Sequence, residues 1–293
     1  MNNKPSELAT KNGILRLHLN PTFGTKPLRQ IGKQEVETYK AKKLKEGLSP
    51  KTIQNHLACL SKILRTAVEW GYLGAAPAIK PMKLVCPEFD FLTFEEADRL
   101  VAASHGMYRL MILVILHTGL RIGELRALRW EDVDLVTGRL VVRRSVYRAD
   151  QIGSPKSGKP REVPLNSLVL QALKSYRHLR GQLVFCREDG RILGETATYE
   201  PLAFICKRAG LRTIGWHVLR HMFASHLVMR GQPMKAVQEL LGHGTIAMTE
   251  RYSHLSPDVR RSAVEALTMR PLSRPGDGPT TGDATQGVGM VVK

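Results

Sequence analysis

The sequence is short of acidic residues, cysteine and long apolar runs, and each shortage removes a class of protein. Its longest unbroken apolar stretch, Leu110 to Leu116, has seven residues, against the roughly 20 that a membrane-spanning helix needs. The opening MNNKPSELATKNG has no apolar core followed by small residues, so it does not read as a secretory signal and a cytoplasmic location is expected. Four cysteines (Cys59, Cys86, Cys186, Cys206) are scattered without C-x-x-C spacing. That excludes a disulfide framework and a cysteine-based zinc site. Asp and Glu number 26 against 44 Lys and Arg, which leaves a formal charge of +18 on 293 residues. A basic surface of this size gains free energy by releasing counterions condensed on a polyanion, so a nucleic-acid partner is expected.

With 43% hydrophobic and 24% charged residues, the chain can bury ordinary cores, and its length suggests two domains. Both parts are basic: residues 1–90 carry 15 basic and 7 acidic side chains, and residues 91–293 carry 29 and 19. In GLSPKTIQNHLACLSKIL, Ser49 is placed as a helix N-cap with Pro50 at the first helical position. Ile53, Leu57, Leu60, Ile63 and Leu64 then face a small core. The opposite face presents Lys51, Gln54, Asn55 and Lys62, groups suited to phosphates and base edges. Lys40, Lys42, Lys43 and Lys45 read as a solvated face. Ala75 to Glu88 contains Pro77, Pro81 and Pro87 and reads as an extended linker.

After it, Thr93 and Glu96 form a capping box that starts a second unit. Helical patterns follow at about 95–105, 108–117, 121–128, 167–180, 196–209, 217–230, 234–241 and 246–252. Leu140 to Tyr147 and Glu162 to Leu165 read as two strands of a hairpin whose tip, QIGSPKSGKPR, is strongly basic. The last stretch, rich in Pro, Gly and Thr, is expected to be a disordered tail.

Two motifs fail. Gly153 to Lys159 has the G-x4-G-K spacing of a phosphate loop, but Pro160 follows where a hydroxyl is needed, and a strand follows rather than a helix. His217 and His221 have half the spacing of a zinc site, yet Val218 stands where a metalloprotease requires Glu. Three other segments make sense together around a phosphodiester. In HTGLRIGEL, Gly119 can end a helix in the left-handed conformation and put Arg121 at the start of the next, beside free amides, an anion site. In WHVLRHMFASHL, His217 and Arg220 share a helix face, one group able to move a proton and the other to clamp an oxygen. In LLGHGTIAMTERYSHL, His243 sits at a glycine corner. Tyr252 follows a polar stretch that does not look like a buried face.

On these residues the chain resembles the tyrosine recombinase (phage integrase) family. TGLRIGEL, the hairpin K-S-G-K-x-R-x-V-P-L, H-x-L-R-H-x-F-A-S, L-G-H and T-x-x-Y-x-H occur in the family's order across about residues 91–256. The resemblance implies a mainly α fold with a small β-sheet or hairpin. Its architecture is a helical core-binding domain (1–85), a linker (86–91) and a mixed α/β catalytic domain (92–270), with a tail (271–293), forming a clamp around DNA. The first helix reads as short. No additional arm-binding module is visible, which implies a shorter member of the family or a fragment of a longer one.

The resemblance also implies roles. Tyr252 is the nucleophile and forms a 3′-phosphotyrosyl link that needs neither ATP nor metal. Arg121 and Arg220 hold the phosphate, His217 accepts the phenolic proton, His243 donates to the phosphate, and Lys156 protonates the leaving oxygen, with Lys159 as the competing candidate. Glu124 orients an arginine, and Lys159 and Arg161 are expected to touch DNA. The implied partners are double-stranded DNA at specific sites, three further copies in a tetramer on DNA (a monomer in solution), and accessory DNA-bending or directionality proteins. Ser256 to Met269, with Val259, Ala263, Val264 and Leu267 at helical spacing, is either a helix that docks on a neighbour or one packed within its own subunit. The rival readings are a relaxing topoisomerase of the same chemistry and a DNA-binding regulator that has lost catalysis.

Overall fold

The computed structural model describes residues 5–84, 90–147, 150–256 and residue 264. Residues 85–89 of the linker, most of the Ser256 to Met269 segment and the tail lie outside the described residues. The architecture is mainly helical with two small antiparallel sheets.

Helix α1 (Pro5–Ile14) runs through a π turn at Leu15–Leu19 into α2 (Asn20–Phe23). The short first helix expected from the sequence is thus the opening of a longer helical stretch. Helices α3 (Lys33–Lys45) and α4 (Pro50–Glu69) follow. The start of α4 is built as the sequence dictates: Ser49 Oγ accepts from the Thr52 N–H at 3.1 Å, and Pro50 sits in the first turn, where a missing N–H costs nothing. Ile53, Leu57, Leu60 and Leu64 form one buried stripe against Leu19, Phe23, Val36 and Tyr39, with Ile63 at its margin.

Two lysines read as solvated are buried instead. Lys40 and Lys43 lay their stems over this core. Lys40 Nζ donates to Glu37 Oε1 and to the Lys80 carbonyl, both at 2.7 Å, and Lys43 Nζ to Glu46 Oε2 at 2.6 Å. Gln54, expected to face DNA, also turns to the chain's own backbone, where its Oε1 accepts from the Met82 N–H at 2.7 Å. Lys40 and Gln54 together tie the extended stretch up to residue 84 back onto the helices. Lys51, Asn55 and Lys62 are exposed.

A second core begins at α5 (Phe94–Ala102), where Thr93 Oγ1 accepts from the Glu96 N–H and Glu96 Oε2 from the Thr93 N–H. Helix α6 (Gly106–Thr118) is buried from Leu110 through Ile115, the pattern of a helix enclosed on all sides. Helix α7 is short (Ile122–Arg126). Strands β1 (Val133–Asp134), β2 (Arg139–Val142) and β5 (Arg161–Pro164) form one sheet in the order β1-β2-β5, and β3 (Ser145–Val146) pairs with β4 (Ile152–Gly153) in another. The single strand expected over 140–147 is therefore broken at Arg143 and Arg144. β2 pairs with β5 in the register Val142↔Arg161, and the excursion between them carries its own small hairpin. Lys156 and Lys159 lie in the turn between β4 and β5, where the Gly158 N–H donates to the Pro155 carbonyl. Pro164, which cannot donate, is tolerated because β5 is an edge strand.

Helices α8 (Ser167–Tyr176), α9 (Glu195–Arg208), α10 (Trp216–Met229), α11 (Met234–Leu241) and α12 (Ala247–Glu250) complete the unit. α8 and α12 are shorter than their sequence patterns. α10 lies along α6, α11 packs on α10, and α12 packs on α11. Among the described residues no helix is long and apolar enough to cross a membrane.

Candidate active site

The α6–α7 corner positions the first arginine. Gly119 caps α6 at φ +64°, and a Cβ there would meet Phe223 Cδ1 at 2.5 Å, so both backbone and packing demand glycine. Arg121 is the N-cap of α7. Its backbone N–H donates to Glu124 Oε2 at 3.0 Å and its Nη1 to Glu124 Oε1 at 2.9 Å.

Glu124 is fully buried and takes a second guanidinium: Arg161 Nη2 donates to Oε2 at 2.6 Å and Nη1 to Oε1 at 3.1 Å. Burial alone raises the Glu124 carboxyl. The Arg161 hydrogen bonds and charge, then the charge and N–H of Arg121, outweigh it and hold the group at about 2. Arg161 Nε donates to the Leu240 carbonyl at 2.9 Å. Expected as a DNA contact, Arg161 is instead nearly buried in this ion pair, where it links β5 to the end of α11.

Arg220, on α10, is 1% exposed. Its Nη1 donates to the Gly119 carbonyl, and its Nη2 to the Leu241 carbonyl at 2.7 Å. Two main-chain oxygens from two corners thus fix the plane of the guanidinium. Burial, then the charge of Arg121, lower it towards about 9, while Glu124 and Tyr252 act the other way, and it remains charged at neutral pH. Gly242, at φ +63°, turns the chain out of α11, and its missing Cβ leaves room for Arg161 Cδ, which would lie 2.8 Å away. The next residue, His243, has Nδ1 hydrogen-bonded to Thr249 Oγ1 at 2.9 Å. Burial, then the charges of Arg220, Arg121 and Arg161, lower its imidazole to about 4.

Tyr252 follows α12 and is 2% exposed, packed against Phe223, Ala224, Val228, Val237 and Leu241. This corrects the reading of TERY as a surface run: Thr249 and Tyr252 point inward while Glu250 and Arg251 face out. Burial raises the Tyr252 phenol, and the charges of Arg220 and Arg251 pull it back. The sequence reading gave its hydroxyl to His217, but the structure puts it 2.8 Å from His221 Nδ1. The His221 ring stands edge-on to that of His217, with centroids 4.3 Å apart. His217 is partly exposed, and loss of hydration, then Arg220, Arg121, Arg251 and Lys156, hold it below the ordinary imidazole value. Lys156 and Lys159 are exposed on the turn before β5. The structure therefore gathers Arg121, Glu124, Arg161, His217, Arg220, His221, His243 and Tyr252, with Lys156 within electrostatic reach. Lys51, Asn55 and Lys62 belong to the other core. The sequence missed His221 as a site residue, although its spacing of four from His217 puts both on one face.

The phage integrase family model matches residues 90–258, more than half of the chain. Tyrosine recombinase XerC of Xanthomonas campestris pv. campestris is 31% identical over 248 residues, covering 79% of this chain and 72% of its own. The ICEBs1 integrase of Bacillus subtilis is 25% identical over 290 residues, covering 91% and 78%. The fold is similar to that of the Tn1549 transposon integrase in complex with a circular intermediate DNA (TM-score 0.78, 21% identity, 90% of this chain and 95% of that one). It is also similar to a lambda integrase dimer bound to a core site (TM-score 0.71, 21% identity, 86% and 89%). The fold is thus shared with these integrases. The chain belongs to the phage integrase family and is a tyrosine recombinase, an enzyme of site-specific DNA recombination.

Proposed function

We propose that this recombinase cuts and rejoins DNA through Tyr252, forming a 3′-phosphotyrosyl link, without ATP or metal, as a tetramer on two DNA sites. The observation that carries the reading is Arg220. It is locked to two carbonyls and lies close enough to Arg121, Glu124, Arg161 and Tyr252 for each to shift its charge. Attack on a phosphodiester adds negative charge to the non-bridging oxygens, and two fixed guanidiniums meet it without reorganising. They take the part a metal plays elsewhere.

Lys156 protonates the leaving 5′ oxygen. Lys159, exposed on the same turn before β5, is the competing donor. His243 donates to the phosphate beside Arg220, while Glu124 and Arg161 hold Arg121 and the α11 corner in place. The phosphotyrosyl ester stores the free energy of the broken bond, so rejoining to another strand needs no ATP. The G-x4-G-K segment joins β4 to β5 and leads into no helix, which agrees with that economy. The basic helical unit (1–85) and the catalytic unit (92–270) grip the duplex as a clamp in the cytoplasm, with accessory DNA-bending or directionality proteins choosing the outcome.

The test incubates wild-type and Tyr252→Phe protein with DNA of the source replicon, denatures with SDS and sequences the fragments that stay attached. Attachment by the wild type alone, at one recurring sequence and undiminished by EDTA, is expected. Attachment by Tyr252→Phe overturns the nucleophile, and binding by both proteins without attachment favours a regulator.

A further inference from the structure

We propose that His221 is the proton acceptor for the nucleophile: its Nδ1 holds the Tyr252 hydroxyl and takes the phenolic proton as that oxygen attacks phosphorus. The inference rests on the reading of Tyr252 as the nucleophile. Its basis is the 2.8 Å contact between the two side chains, inside a site where Tyr252 is 2% exposed and its ring is braced by Phe223, Val228 and Leu241. With the imidazole proton on Nε2, Nδ1 is the acceptor and the hydroxyl the donor.

Three further observations agree. A buried phenol does not ionise by itself at neutral pH, so it needs a base in contact. The groups facing His221 are His217 and Arg220 on α10, Arg251 and Tyr252 after α12, and His243 at the α11 corner. Burial first, then His217 and the two arginines, hold His221 at about 4, so it is neutral and able to accept. The same arginine charges favour the phenolate that forms. His217, one turn earlier, stacks edge-on against His221 and leaves that ring turned to the tyrosine.

In cleavage the Tyr252 O–P bond forms as the P–O5′ bond breaks. The phenolic proton ends on His221 Nδ1, giving an imidazolium, and the 5′ oxygen takes its proton from Lys156. In joining, an incoming 5′-hydroxyl returns a proton to Lys156 and attacks phosphorus, and the imidazolium gives its proton back to the departing tyrosine oxygen.

The experiment measures single-turnover attachment of the full chain to a duplex carrying the captured site, with His221→Ala, His221→Asn, Lys156→Ala and Tyr252→Phe beside wild type. Asn keeps an acceptor near the Nδ1 position but cannot take a proton. Both His221 variants are expected to bind DNA as wild type does and to cleave at least about 100-fold more slowly at neutral pH. Wild-type rates should be flat from about pH 5 to neutral pH, whereas the variants' rates should climb over that range as hydroxide replaces the lost base. A duplex with sulfur in place of the bridging 5′ oxygen needs no proton on its leaving group, so it should restore Lys156→Ala and leave the His221 variants slow. His221→Asn cleaving at the wild-type rate and pH profile, or restored by the sulfur duplex, overturns His221 alone. Attachment by Tyr252→Phe, or none by wild type, overturns the nucleophile as well.

Discussion

Glu124 is buried among guanidiniums, and its ionised form is what allows them to stay there. Replacing it with Gln leaves Arg161 without a counter-charge, a change that costs on the order of 3–5 kcal/mol when one partner of a buried pair is lost. We expect Glu124→Gln to lower unfolding free energy by about that much at pH 7 in urea titrations, and to slow cleavage by loosening Arg121. The pH dependence has a definite sign. A carboxyl held at about 2, against an ordinary 4.5, contributes stability that is complete above pH 4.5 and lost as pH falls towards 2. At roughly 1.4 kcal/mol per pKa unit, wild type should lose about 3 kcal/mol across that window through this group, and Glu124→Gln should not. Arg121, His217, Arg220 and His243 stood out as candidates because each sits in a short motif beside a glycine corner or on a helix face, and Tyr252 through the family resemblance alone; the structure brings the five together. The tasks of Arg161 and His221 were not legible. Their partners are 37 and 31 residues away, Glu124 and Tyr252, and no local periodicity records a contact made by packing β5 or α12 onto the site.

At the scale of elements, the site depends on two glycine corners that let α6, α10 and α11 close on one another. Gly119→Ala imposes both a left-handed backbone, about 1–2 kcal/mol for a residue with a Cβ, and a clash with the Phe223 ring, for which overpacking adds about 1–3 kcal/mol. Gly231, just past α10, has φ +71° but open space around its missing Cβ, so Gly231→Ala carries the backbone cost alone. Thermal unfolding of the two variants should rank Gly119→Ala clearly below Gly231→Ala, and Gly119→Ala should also lose cleavage, because the Gly119 carbonyl holds Arg220. Equal melting temperatures would mean that Phe223 yields freely. Helix starts were the most legible features here, since Ser49, Thr93 and Glu96 cap through neighbours within three residues. Helix ends and the 140–165 region were not: the break at Arg143 and Arg144 comes from those arginines reaching Asp132 and Glu131, a tertiary pull that overrides a strand-like run.

Across the whole molecule the charge excess is shared by the two cores, +8 in residues 1–90 and +10 in residues 91–293. Counterion release then makes DNA affinity fall steeply with salt: six to ten phosphate contacts weaken binding by roughly 10³–10⁵ between 50 and 200 mM. The exposed face of α4 tests whether the first unit shares in this grip. Lys51 is exposed near its start, and Lys62 is exposed two-thirds of the way along, held only loosely by Glu69 at 3.9 Å. If both meet phosphates, Lys51→Ala with Lys62→Ala should reduce the slope of log K against log salt by about 1.8, since each contact contributes roughly 0.9. The loss should be equal on specific and unrelated duplexes, because phosphate contacts carry no sequence information. The melting temperature should hardly move, since neither side chain packs on the core. An unchanged slope would turn this face of α4 away from DNA and assign the charge of the first unit to its other surfaces. A loss confined to the specific duplex would make the lysines readers of base edges, and would move sequence recognition into the first ninety residues.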